Sequence, residues 1–145
     1  MKLLQTLLMQ AKMKDALLFR QASQTEIQST SISLVKAKRV RIPRGYISFL
    51  ELTDGLVWGD FEMFSCTLHE RAGTVFNQPD LLDYQQKYAE GKFFSKRLVL
   101  GRGMEFLVCY DALNKCYELI NRDSLLVMLK FPRFEDLFYH LVLSF

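Results

Sequence analysis

The stretch IPRGYISFLELTDGLVWGDFEMFS, Ile42 to Ser65, holds a helix start, a helix stop and the beginning of a sheet. Pro43 suits the first turn of a helix, because its ring fixes φ and its missing N–H is not needed there. Tyr46, Phe49, Leu50 and Thr53 follow at helical spacing. Gly55 is placed to adopt the left-handed conformation that closes a helix, so Asp54-Gly55 reads as a stop. Leu56–Trp58 and Phe61–Phe64 then read as extended structure. Four acidic residues, Glu51, Asp54, Asp60 and Glu62, surround Trp58.

Working outward from this stretch, Leu3, Leu4, Leu7, Leu8 and Ala11 lie on one helical stripe, and the pattern predicts a first helix over about residues 2–20. SQTEIQSTS is polar and reads as a connection, while SISLVKAKRVRI alternates and is β-branched enough for a strand. On the other side, Gln78-Pro79-Asp80 opens a helix that carries Leu81, Leu82, Tyr84, Gln85 and Tyr88 and ends at Gly91. Strands are predicted at Arg97–Leu100, Phe106–Tyr110, Cys116–Asn121 and Leu125–Lys130, with a tight turn from Asp111 to Lys115. Phe134, Leu137, Phe138, Leu141 and Phe145 form the clearest amphipathic helix. Consecutive strands joined by short turns pair antiparallel. The fold class is therefore α+β: one domain over residues 1–145, with a mainly antiparallel sheet of about five or six strands and helices on one side and at both termini.

Composition agrees with a packed core: half the residues are hydrophobic, twelve are Phe, and Gly and Pro number only seven and three. The net charge of +3 conceals an asymmetry, since residues 1–44 carry nine Lys/Arg against Asp15 and Glu26. The excess peaks in KAKRVRIPR, at Lys36, Lys38, Arg39, Arg41 and Arg44. Cations in such a run can meet phosphates, but they also guard strand edges, and with no aromatic interleaved the edge reading is preferred. A nucleic-acid partner is not expected. Cys66, Cys109 and Cys116 form neither an even framework nor a CxxC pair. They read as reduced, partly buried thiols, although Cys109 and Cys116 could face each other across a hairpin. The opening MKLLQTLLMQAKMKD is too interrupted for a secretory signal, and no window reaches the length of a membrane span. A cytoplasmic protein without a membrane partner is expected.

Catalytic signatures are sparse. His69-Glu70 starts like a zinc-protease helix but lacks the second His, and Gly101-Arg102-Gly103 reads as a turn between strands. His140 reads as an ordinary helical histidine. The carboxylates around Trp58 could act as an acid–base pair only if the fold brought two of them together. A recognition patch is the better reading, because Trp anchors binding sites and acidic neighbours suit a basic partner. Glu51, Asp54, Trp58, Asp60 and Glu62 are the candidate partner-binding residues. No catalytic residue, metal or cofactor is assigned.

The Pro43-started helix with Tyr46, Phe49-Leu50 and Asp54-Gly55 resembles the signature of the SUKH superfamily, in which Asn-Gly is commoner than Asp-Gly. Phe106-Leu107-Val108-Cys109-Tyr110-Asp111 resembles that family's strand ending in Tyr-Asp, and Phe134-Glu135-Asp136-Leu137 resembles its closing helix. The likeness covers most of residues 42–145 and is closest to the YrhA-like branch. It implies a single α+β domain that binds proteins rather than catalysing, most often an immunity protein that neutralises a bacterial toxin. The family also includes a fungal regulator of cell-wall synthesis, so an intracellular regulatory scaffold is the alternative.

Overall fold

A computed structural model describes residues 2–68 and 79–145. The elements run α1 (Lys2–Met13), β1 (Leu17–Leu18), α2 (Gln24–Lys38), α3 (Arg44–Leu50), β2 (Leu56–Trp58), β3 (Phe61–Met63) and α4 (Leu81–Tyr88). A single 3-10 turn (Lys92–Phe94) leads into β4 (Arg97–Arg102), β5 (Phe106–Asp111), β6 (Cys116–Asn121), β7 (Val127–Phe131) and α5 (Phe134–Ser144). Among the described residues seven strands form one antiparallel sheet in sequence order, a meander with α2 and α3 inserted between β1 and β2 and α4 between β3 and β4. This is the α+β class expected, with one strand beyond the expected number.

Helix α5 packs on β6 and β7 and against α1 and α3. Phe134 and Phe138 pack on Tyr46 and Phe49 of α3, with ring centroids 5.4–5.6 Å apart, and Phe134 meets Tyr117 of β6 edge-on at 5.6 Å. These rings are almost wholly buried, and each such pair adds about 1 kcal/mol beyond the burial itself. Gly45 is glycine because of this packing: a Cβ there would stand 2.7 Å from the Tyr117 hydroxyl and 2.9 Å from Phe134 Cβ. The buried stripe Leu4, Leu7, Leu8 and Ala11 joins α1 to the same core.

Strand β4 is longer than its neighbour β3, which pairs with it only at Met63–Gly101 and Glu62–Arg102. The uncovered half is completed by side chains. The Gln85 carboxamide of α4 accepts from Val99 N–H at 2.9 Å and donates to Val99 C=O at 2.8 Å, taking the place of a strand. Lys38 Nζ donates to Arg97 C=O at 2.6 Å. Burial lowers the Lys38 ammonium to about 8.

Three expectations are corrected. The segment 24–38, read as a polar connection followed by a strand, is a single helix. Ser23 and Glu26 form a complete capping box at its start, and Ile27, Thr30 and Leu34 are its buried stripe. Helix α1 ends at Met13 rather than near residue 20, because Asp15 takes a positive φ of 73° and Leu17–Leu18 pair with Val57 and Leu56. Gly55 does not close α3, whose cap is Glu51. It enters β2 at φ 87°, so close to β3 that a Cβ would meet Met63 C=O at 2.7 Å. Among the described residues no helix is long and apolar enough to cross a membrane. His69, Glu70 and Gln78 lie outside the described residues.

Candidate functional site

The five residues singled out around Trp58 do not form one surface. Thr53 and Asp54 follow α3 directly and are fully buried. Asp54 Oδ1 accepts from Cys66 N–H at 2.7 Å, and Oδ2 accepts from the Thr67 hydroxyl at 2.8 Å. Thr53 Oγ1 accepts from Phe19 N–H at 2.9 Å and donates to Gly55 C=O at 2.7 Å. Together they knot the segments before α2 and after β3 onto the end of α3. Cys66 belongs to this knot, and burial pushes its thiol up to about 12.

Glu62 is also buried. It pairs with Arg102 at 2.5 Å across β3 and β4, and the guanidinium lies 5.4 Å from the Tyr84 ring. Glu51 is exposed at the far end of α3 and accepts from Gln24 Nε2 at 2.6 Å. The four carboxylates thus fall in three places, with only Asp60 and Glu62 lining a common cleft.

Trp58 and Asp60 do lie together, at the end of the sheet where the β2–β3 and β4–β5 turns meet. A groove of about 550 Å³ opens there between Trp58, Asp60, Phe61, Met104, Glu105, Phe106 and Phe145. Its floor is aromatic: Phe61 stacks on Phe106 and Phe145 with centroids 5.6 Å apart, and Trp58 lies 4.6 Å from Phe145. Met104 stands at its mouth, 69% exposed, and Asp60 and Glu105 are exposed on the rim. Behind the same two turns a second, polar cleft is lined by Asp60, Glu62, Arg102 and Arg122. The sequence reading puts Phe106 in a strand and Phe145 on the last helix, but gives neither of them, nor Met104 or Glu105, a role at this site. The tight turn Gly103–Glu105 between two strands was the available signal, but the distance in sequence between this turn and Trp58 hid their meeting.

One further cluster could in principle hold a metal. Ligand atoms of Asp111, Cys116 and Glu118 lie within 4.8 Å of one another at the β5–β6 hairpin. The cluster's two carboxylates are already engaged. Asp111 accepts from Leu113 N–H, Asn114 N–H and Asn114 Nδ2, and Glu118 is held by Arg97 at 2.8 Å. These contacts fix the turn and neutralise a buried carboxylate, which makes the cluster a hairpin brace. The Cys109–Cys116 disulfide weighed above does not form: Cys109 stands opposite Glu118, Cys116 opposite Asp111, and all three cysteines are free.

Compared with known proteins, the chain matches no family profile, and no curated protein is similar to it beyond chance. The SUKH likeness therefore rests on the motifs within residues 42–145.

Proposed function

We propose that the chain is a non-catalytic protein-binding module that neutralises a cognate bacterial toxin by direct association, the role that the SUKH likeness implies. The observation that carries the reading is the groove beside Trp58. Its aromatic floor and exposed Met104 have the composition of an interface core, where aromatic residues and Met are enriched and charges are pushed to the rim. Asp60 and Glu105 make that rim acidic, so the groove suits an apolar anchor flanked by Lys or Arg on the partner. Trp58 contributes its ring to the groove while its Nε1 is committed to the fold. Asp54 and Glu62 act as supports of the site and are not contact residues.

The test is co-expression of the chain with the proteins encoded beside its gene. A neighbour that arrests growth alone but not with the chain is expected. That rescue should be lost in Asp60→Lys/Met104→Glu, both exposed positions, while the variant keeps its native circular dichroism. Rescue unaffected by the double variant would move the interface away from the groove. No toxic neighbour, with a housekeeping partner held through the same groove, would replace the immunity reading with that of a regulatory scaffold.

A further inference from the structure

The sequence explains KAKRVRIPR as cations guarding a sheet edge. The fold removes that explanation, because the run leaves α2, turns at Arg39 and crosses to α3 without joining the sheet. Val40 and Ile42 are buried while Arg39 and Arg41 are exposed, so both guanidiniums face outward. Lys36 and Arg44 are exposed as well.

Local structure favours only Lys36 among these cations. Lys36 sits in the last turn of α2, where the helix macrodipole favours it. Arg39, however, holds a left-handed φ of 59°, a cap position where Gly or Asn is usual. Arg44 stands in the first turn of α3, the end at which the macrodipole disfavours positive charge. Three surface cations elsewhere hold carboxylate partners, in Arg20–Glu26, Lys87–Asp83 and Arg133–Asp136, while exposed Lys12, Lys115 and Lys130 stand, like this run, without one among the described residues. Among the described residues no carboxylate lies within ion-pair distance of Lys36, Arg39, Arg41 or Arg44.

Three grooves take residues from this run. Arg39 lines the first with Lys38 and Lys96, and Glu90 is its one acidic residue. Arg41 and Arg44 line the second with Ser31, Ser48 and Glu51, and Arg44 lines the third with Arg133 and Glu135. A row of cations that passes from groove to groove fits a linear polyanion better than a compact one. From this arrangement we infer that Lys36, Arg39, Arg41 and Arg44 form a track for the phosphodiester backbone of nucleic acid. The guanidiniums meet phosphate oxygens, the hydroxyls of Ser31 and Ser48 add neutral donors, and no base is read. The track lies apart from the groove beside Trp58 and does not depend on the protein-binding reading.

The test is fluorescence anisotropy with labelled single-stranded and duplex oligonucleotides across a salt series. With three or four phosphates neutralised, single-strand affinity should fall with salt at a log–log slope of about −2 to −3. Arg39→Glu/Arg41→Glu/Arg44→Glu should bind at least about tenfold more weakly at low salt and flatten that slope by about 2. The Gln triple at the same positions, which carries no repulsion, should fall between it and the wild type. Lys12→Glu/Lys115→Glu/Lys130→Glu removes the same charge elsewhere and should bind within a few-fold of wild type. The inference is overturned if wild type fails to bind at about 100 μM and low salt, the range of ordinary non-specific contacts. Equal loss in the two Glu triples would also overturn it, since net charge alone would then explain binding. So would binding to phosphatidylserine vesicles without binding to either oligonucleotide.

Discussion

The Nε1 of Trp58 donates to the backbone carbonyl of Lys14 at 2.9 Å, so the aromatic at the heart of the groove also fastens the end of α1 to β2. Trp58→Phe keeps most of the ring but leaves that carbonyl without its partner. It should cost about 1–2 kcal/mol, a drop of about 4 °C in the melting midpoint for a domain of this size. A calorimetric scan measures it. A loss of partner binding in a Trp58 variant therefore has to be read against this stability change, which is why exposed Asp60 and Met104 are the better probes.

Gly55→Ala should be among the most damaging single-methyl additions in the chain. A φ of 87° already disfavours any side chain, and the new Cβ would stand 2.7 Å from Met63 C=O. The expected cost is about 2–3 kcal/mol, combining backbone strain with a clash that the paired strand cannot relieve. Urea unfolding would reveal it as a lower midpoint with an unchanged slope.

Arg97 and Glu118 form a pair in which Glu118 is wholly buried. Breaking the pair should cost more than deleting it. Glu118→Gln strands a partly buried guanidinium and should lose about 3 kcal/mol or more, whereas Arg97→Met/Glu118→Leu should be milder than Glu118→Gln alone. A double-mutant cycle by chemical denaturation reads the coupling directly. Additive costs would mean that the pair is not a unit.

Glu26 carries a pH signature. The hydrogen bond from Arg20, followed by that from Ser23 N–H, lowers its carboxyl to about 2 from the ordinary 4.5. The sign follows from linkage: the folded state holds the proton more weakly, so the stabilisation is present above pH 4.5 and is lost as pH falls toward 2. The pair is solvent-exposed on the Arg20 side, so the contribution is about 1 kcal/mol and not the full value of the shift. Glu26→Gln should destabilise by that amount at pH 7 and flatten the stability profile between pH 4.5 and 2. It should leave the helix cap itself standing, since Gln also closes a capping box.

The cysteines should separate cleanly by reactivity. Burial raises all three thiols, but Cys109 is fully buried and Cys66 nearly so, whereas Cys116 stands partly exposed at the hairpin. A maleimide or disulfide reagent should modify one thiol per native chain and three after denaturation. Fewer than three in the denatured, unreduced protein would reveal a disulfide.

The part of the fold legible in sequence was the part governed by local pattern. The strands from Arg97 to Phe131 are short, largely apolar runs separated by short turns, and α5 carries an uninterrupted apolar stripe. Helix α2 was obscured because its β-branched residues imitate a strand. Ile32 and Val35, which gave that impression, face solvent, and the Ser23–Glu26 box that marks its start lies inside a stretch that looks like a polar linker. The acidic cluster around Trp58 failed for a different reason. Whether a carboxylate is a contact or a support depends on distant donors, here Cys66 and Thr67 for Asp54 and Arg102 for Glu62. Nothing in the spacing of the acids themselves reveals those donors.

The carboxamide of Gln85, inserted where a neighbouring strand would otherwise bond to Val99, has a consequence for misassembly. Strand β4 is apolar through Leu98, Val99 and Leu100, the kind of segment that templates intermolecular pairing once its edge opens. Helix α4 therefore serves as a plug that keeps this template closed. When it detaches during refolding or on heating, β4 offers a strand-length docking edge to another copy. Gln85→Leu, which fills the same space but cannot bond to either backbone group, should aggregate from partly unfolded states faster than its loss of stability alone would account for.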